Sequence, residues 1–240
     1  MISDEVKAVF SPYQVQDKIS FNPLIFLEMG TIKQGILGGF SGKVGTVIGG
    51  SWKGISYMRS IPQNVKNPRT DGQVNQRTKF TVALDFLKPM TGLIQVGFKL
   101  YAQKQTAFNA AMSYILNNAI TGTSPDFSVD YNLALVSRGS LTGAVNAQAV
   151  SANGAVNITW DDNSGIGNGV ATDRALIVAL NPSRGESVFD AGGNQRASGS
   201  EDISIPAYWV GETVEVFLGF ITEDGKNVSN NVYLGTVTVA

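Results

Sequence analysis

The sequence predicts an α+β N-terminal region, a Gly-rich β-hairpin plus helices, followed by an all-β fibronectin/immunoglobulin-like sandwich. Three observations predict it. Glycine and β-branched residues crowd 35–62, apolar residues recur at helical spacing through 73–119, and from Asp126 onward short apolar runs alternate with Gly, Asn, Asp and Pro turns. The chain has 240 residues, 43% of them hydrophobic, enough for one large domain or two modest ones. The expected division is an extension at 1–28, a basic α+β domain at 29–142 and an acidic Ig/FnIII-like β-sandwich at 143–240.

The Gly-rich segment reads Gly35-Ile36-Leu37-Gly38-Gly39-Phe40-Ser41-Gly42-Lys43-Val44-Gly45-Thr46-Val47-Ile48-Gly49-Gly50. Glycine at that density suits short, bent strands, with turns or close backbone approach where side chains are missing. The stretch 51–59 alternates large with small or polar residues and reads as one further strand. Asn67-Pro68-Arg69-Thr70-Asp71-Gly72 is a turn; Thr70 or Asp71 then caps a helix over 73–87, which Pro89 ends. A second helix is expected over 106–119, with Phe108, Ala111, Met112, Ile115 and Leu116 on one face, while 93–101 fits helix or strand. Strands are expected at 127–131, 134–137, 155–160, 175–180, 187–190, 202–205, 213–220 and 233–239, the pattern of a two-sheet antiparallel sandwich. Trp160 on an early strand fits the core tryptophan of fibronectin-like modules. Glu223-Asp224-Gly225-Lys226 is a hairpin-type turn before the last strand.

The chain holds no cysteine and no histidine. Disulfides, thiolate nucleophiles and zinc fingers are thereby excluded, as are Ser–His–Asp and Cys–His catalytic arrangements. Carboxylate-pair, lysine-based and oxygen-ligand chemistry stay open. No catalytic residue, cofactor site, metal site or small-molecule substrate is expected. The opening residues are acidic, and their apolar positions are interrupted by Pro12, Gln14, Gln16, Asp17 and Pro23, which does not match a secretory signal. The run Pro23-Leu24-Ile25-Phe26-Leu27 is too short to span a bilayer, so no membrane span is expected.

A net charge of −1 conceals a division. Between 29 and 120 there are eleven Lys or Arg against two acids, and between 121 and 240 five against thirteen. Lys43, Trp52, Lys53, Arg59, Lys66, Arg69 and Arg77 are the candidate partner-contact residues. Lys79 adds charge and Tyr57 a second ring for stacking, so the basic region 33–104 also suits nucleic acid. More simply, the basic half meets an acidic half, within the chain or in a neighbour, and contact with another copy or another subunit is the favoured reading.

Other candidate sites read as structure. Gly38-Gly39-Phe40-Ser41-Gly42-Lys43 lacks the phosphate-loop spacing, because no Ser or Thr follows Lys43. Asp161-Asp162-Asn163 with Gly165 offers oxygen ligands but not an EF-hand spacing. Asp173, Glu186, Asp190, Glu201 and Asp202 offer carboxylates for a glycosidase-type pair, with no aromatic-rich cleft beside them. Of Tyr208 and Trp209, the aromatics available for a glycan or surface-binding module, the strand pattern buries one.

The blocks Gly-Ile-Leu-Gly-Gly-Phe-Ser-Gly-Lys-Val-Gly at 35–45, Ser-Trp-Lys-Gly at 51–54 and Asn-Pro-Arg-Thr at 67–70 resemble a family of uncharacterised bacterial proteins, a domain of unknown function. Later blocks at 107–111, 135–141 and 158–165 extend the resemblance over 29–240. It carries no activity. Such proteins begin near Met29-Gly30, which implies that 1–28 is an extension; it is expected to be ordered and to dock on the body or on a partner. The Asn-Pro-Arg-Thr block with Gln73, Gln76 and Arg77 is similar to segments of phage-associated structural proteins. The function expected is therefore a non-enzymatic structural or assembly protein, a repeating component of a larger particle such as a phage virion or tail. Its location would be the virion if phage-encoded and otherwise the cytoplasm.

Overall fold

A computed structural model describes residues 31–32, 38–52, 54–62 and 68–240. The chain divides into two compact units, Met1–Pro68 and Arg69–Ala240. The expected extension at 1–28, with its docking, lies outside the described residues.

In the first unit four antiparallel strands follow one another in sheet order: β1 (Thr31–Ile32), β2 (Phe40–Val44), β3 (Val47–Trp52) and β4 (Ile55–Ser60). Gly45, at φ 57°, and Thr46 make the two-residue turn between β2 and β3. The single strand expected over 51–59 is instead broken: β3 ends at Trp52, and Gly54, at φ 84°, turns the chain back into β4. A left-handed φ is open to glycine without steric cost, so the Gly decides the turn.

The second unit opens with α1 (Asp71–Leu87), preceded by Thr70, whose side chain makes no capping bond. Pro89 does not end the helical region. It sits in a 3₁₀ turn, Lys88–Met90, that leads directly into α2 (Thr91–Gly97) and resolves the ambiguous 93–101 as helical. In α3 (Ala107–Asn118) Thr106 is the N-cap, its hydroxyl accepting the Asn109 N–H at 3.1 Å. A hairpin, β5 (Ile120–Thr123) and β6 (Asp126–Val129), follows.

Seven strands then form two antiparallel sheets. One has the order β11 (Ser200–Ser204), β8 (Ala155–Thr159), β7 (Gln148–Ala152); the other has β10 (Glu186–Asp190), β9 (Arg174–Asn181), β12 (Thr213–Ile221), β13 (Val232–Thr238). The expected strand at 134–137 is absent. There the Asn231 side-chain carbonyl accepts the N–H groups of Val136 (2.8 Å) and Ser137 (3.2 Å), replacing a strand neighbour. Strand β7, rich in small residues, carried too weak an apolar signal to be read from the sequence.

Successive residues of β9 point to opposite faces of its sheet. Ala175, Ile177 and Ala179 enter a core shared with Val156, Ile158 and Trp160 of the facing sheet. Leu176, Val178 and Leu180 enter a second core with Phe86, Leu93 and Ile115 of the helices. The four-stranded sheet is thus the middle of three layers. The boundary expected at 142/143 falls inside one compact unit, because the helices cover the outer face of a sheet built from the residues that follow them. No helix among the described residues is long and apolar enough to cross a membrane.

Candidate partner-contact surface

The Gly-rich sheet carries its aromatic side chains over its glycines. Tyr57 pairs with Gly50 across β3 and β4, and a Cβ built on Gly50 would stand 3.0 Å from the Tyr57 ring. On the opposite face a Cβ on Gly49 would come within 2.5 Å of the Phe40 ring and 2.2 Å of its backbone oxygen. Rings laid on glycines replace the packing that those residues lack.

Strand alternation then sorts the candidate residues. Lys43 pairs with Ile48 and Ile48 with Arg59, Gly50 pairs with Tyr57, and Trp52 with Ile55, so all of these share one face. That face mixes cations with rings and aliphatic chains. Every residue of β4 is exposed, with Ile55 and Met58 at 70%, Trp52 on β3 at 69% and Tyr57 at 46%. Among the described residues no strand pairs with the outer edge of β4.

Arg69 and Arg77 belong to the other unit. Arg69 holds a positive φ of 48° just before α1, and with Arg77, Val74, Thr78 and Thr81 it lines a cavity of about 400 Å³. Lys53 and Lys66 lie outside the described residues. Lys79 is committed within its unit, its ammonium 4.9 Å from the centre of the Phe127 ring. Lys43, Trp52 and Arg59 are therefore brought together on one sheet face, and Arg69 with Arg77 on one helix start.

The carboxylates singled out in the acidic half have structural partners. Asp173 and Arg196 form an ion pair at 3.1 Å, both almost wholly buried. The Arg196 guanidinium also donates to Asn163 Oδ1 (2.6 Å) and the Thr142 carbonyl (2.8 Å), and stands 3.9 Å over the Phe220 ring. Burial pulls the Arg196 pKa down and Asp173 opposes that pull. This knot ties three loops at one end of the sandwich. Sequence reasoning missed it, because no local spacing marks Arg196 among the four arginines of the acidic half.

In the loop considered for calcium, Asp161 accepts from Asn146 (2.7 Å), Asp162 from Ser164, and Asn163 from Arg196. The Ser164 hydrogen bonds hold the Asp162 carboxyl below the usual carboxylate range. These oxygens are engaged by protein donors. Glu186 accepts from the Tyr208 hydroxyl and the Trp209 indole, each at 3.1 Å. Trp209 is buried and Tyr208 exposed, stacked by Arg184, whose guanidinium grips Glu212. Glu201, buried, accepts the Asn194 N–H at 2.9 Å, and burial pushes its carboxyl up. Glu215 accepts from Tyr233 and Thr236; burial first, then that bond, push the Tyr233 phenol up to about 12.

The family described as "Family of unknown function (DUF6266)" matches residues 39–235. No curated protein and no solved structure matches the chain.

Proposed function

Since the chain belongs to the DUF6266 family, which brings no activity with it, we propose from its own surfaces that it is a non-enzymatic structural protein that assembles into a larger particle. The observation that carries this reading is the exposed sheet of the first unit. Burying a side chain such as Ile55 or Met58 is worth roughly 1.5–3 kcal/mol. A strand that displays Ile55, Tyr57 and Met58 along an edge that no described strand pairs is a template for pairing with another chain. The uneven charge, basic through 29–120 and acidic through 121–240, favours contacts between unlike parts of neighbouring molecules. Heterologous contacts of that kind close into rings or run on as tubes.

The second unit suits a displayed scaffold. Its sheets of three and four strands, with Trp160 packed edge-on to Phe220 in the core, are of the fibronectin/immunoglobulin type in our reading. The similarity of 67–77 to phage-associated structural proteins favours a phage virion or tail as the particle. The test is the mass of the purified chain in solution at low and high salt, for the full chain and a variant lacking residues 1–28. A defined oligomer or polymer is the expected result, and a monomer under every condition overturns the reading.

A second reading, nucleic-acid binding, is favoured by the shared face of Lys43, Trp52, Tyr57 and Arg59. Stacking rings beside cations suit single strands. That reading requires oligonucleotide affinity to fall steeply with salt, by about 0.7 log units per log unit of salt for each phosphate neutralised.

A further inference from the structure

We infer that two copies of the chain pair through their β4 strands, antiparallel and centred on Met58. The inference rests on the association reading above and gives it a partner and a register. Among the described residues β4 is the last strand of its sheet, exposed at all of its six positions. Its backbone polarity can be read from the ladder behind it. The Ile61 N–H donates to the Thr46 carbonyl at 2.9 Å, continuing the pairing of β3 with β4. Hydrogen-bonded pairs alternate along an antiparallel ladder. The odd-numbered residues of β4 are therefore spent on β3, and Ser56, Met58 and Ser60 direct their N–H and C=O groups outward.

An incoming strand must satisfy those groups. A second β4 does so only when even-numbered residues meet even-numbered residues, which confines self-pairing to a few registers. Centred on Arg59, the two guanidinium groups would oppose each other. Centred on Tyr57, each Arg59 would face an aliphatic Ile55. Centred on Met58, each Tyr57 ring faces the other copy's Arg59, giving two such pairs, while Met58 meets Met58 and Ser56 meets Ser60. The Tyr57–Arg59 positions are then the pairs without mutual hydrogen bonds, where side chains approach most closely, and they allow a cation–π contact. The opposite face also steers the partner to the edge: Gly39 packs on Ser56, a Cβ there falling 2.2 Å from the Ser56 Oγ. The pairing joins two four-stranded sheets into one continuous sheet.

The chain has no cysteine, so a single introduced thiol reports its own position. Met58→Cys, Ser60→Cys and Ile55→Cys would be treated with a short thiol cross-linker, with mass in solution measured beside each. In the inferred register position 58 faces its own copy, while positions 60 and 55 are displaced by about 13 and 20 Å along the strand. Met58→Cys should convert to the covalent dimer at least about tenfold faster than the other two. All three positions are exposed, so folding should survive, and circular dichroism confirms it. Association without this preference for position 58 overturns the β4 pairing and leaves the assembly reading standing. A monomer that does not cross-link at any position overturns both.

Discussion

The two units solve the problem of a β-sheet's two faces in opposite ways. In the second unit the sheet β10–β9–β12–β13 has the facing sheet on one side and helices on the other, so β9 and β12 are buried along almost their whole length. In the first unit the sheet places a ring on Gly49 and another on Gly50 and leaves β4 exposed throughout. The two units therefore find their stability in different places. The second unit closes on itself, and the first leaves apolar surface and backbone groups for a neighbour.

The strongest way to sharpen that contrast is to break the interior of the second unit. Asp173→Asn removes the charge that Arg196 pairs with while keeping the shape. Leaving a buried cation without its counterion costs about 3–5 kcal/mol, so urea unfolding should show a loss of that order. Phe217→Ala, in the core between sheet and helices, should cost a similar ~3–5 kcal/mol. Neither change should alter the oligomeric mass of the protein that remains folded.

The converse substitution acts on association and spares folding. Met58→Asp on β4 should shift the chain toward monomer in light scattering, while its unfolding free energy changes by no more than about 0.5 kcal/mol, as for other exposed positions. A loss of folding equal to that of Asp173→Asn would mean that β4 is part of an interior.

The smallest effect expected is a pH dependence. Burial raises the Glu201 carboxyl above its ordinary value of 4.5, so the folded state holds that proton more tightly than the unfolded state does. The stabilising contribution is therefore present at pH below 4.5 and is lost as pH rises through the raised folded value. Glu201→Gln carries no such charge. The stability of the parent relative to this variant should fall between acid and neutral pH, in paired urea titrations.

Much of the fold was legible from particular residues. Thr106 before an apolar helical face gave α3 nearly to its ends, and the runs at 155–160, 175–180 and 213–220 lie on strands β8, β9 and β12. The error in the division at 142/143 was legible too. Leu176-Ile177-Val178-Ala179-Leu180 contains no polar residue, and a strand with one face in water alternates. That unbroken run already required cover on both faces, which the facing sheet and the helices supply. What the residues could not announce was the irregular 134–137, because its backbone bonds come from Asn231, far along the chain. Of the candidate surface, Lys43, Trp52 and Arg59 were gathered by strand register once the turns at Gly45 and Gly54 were placed. The Asp173–Arg196 knot depends on loops meeting in space, and no local spacing encodes it.

In the proposed assembly strand β4 of the first unit is a meeting point of copies, and the interior strands β9 and β12 of the second unit are not. Amide hydrogen exchange on the full chain at low and high protein concentration tests it directly. Protection of Ser56, Met58 and Ser60 should rise with concentration while the amides of β9 and β12 stay unchanged. Protection that rises only within Arg69–Ala240, or at no concentration in β4, would contradict it.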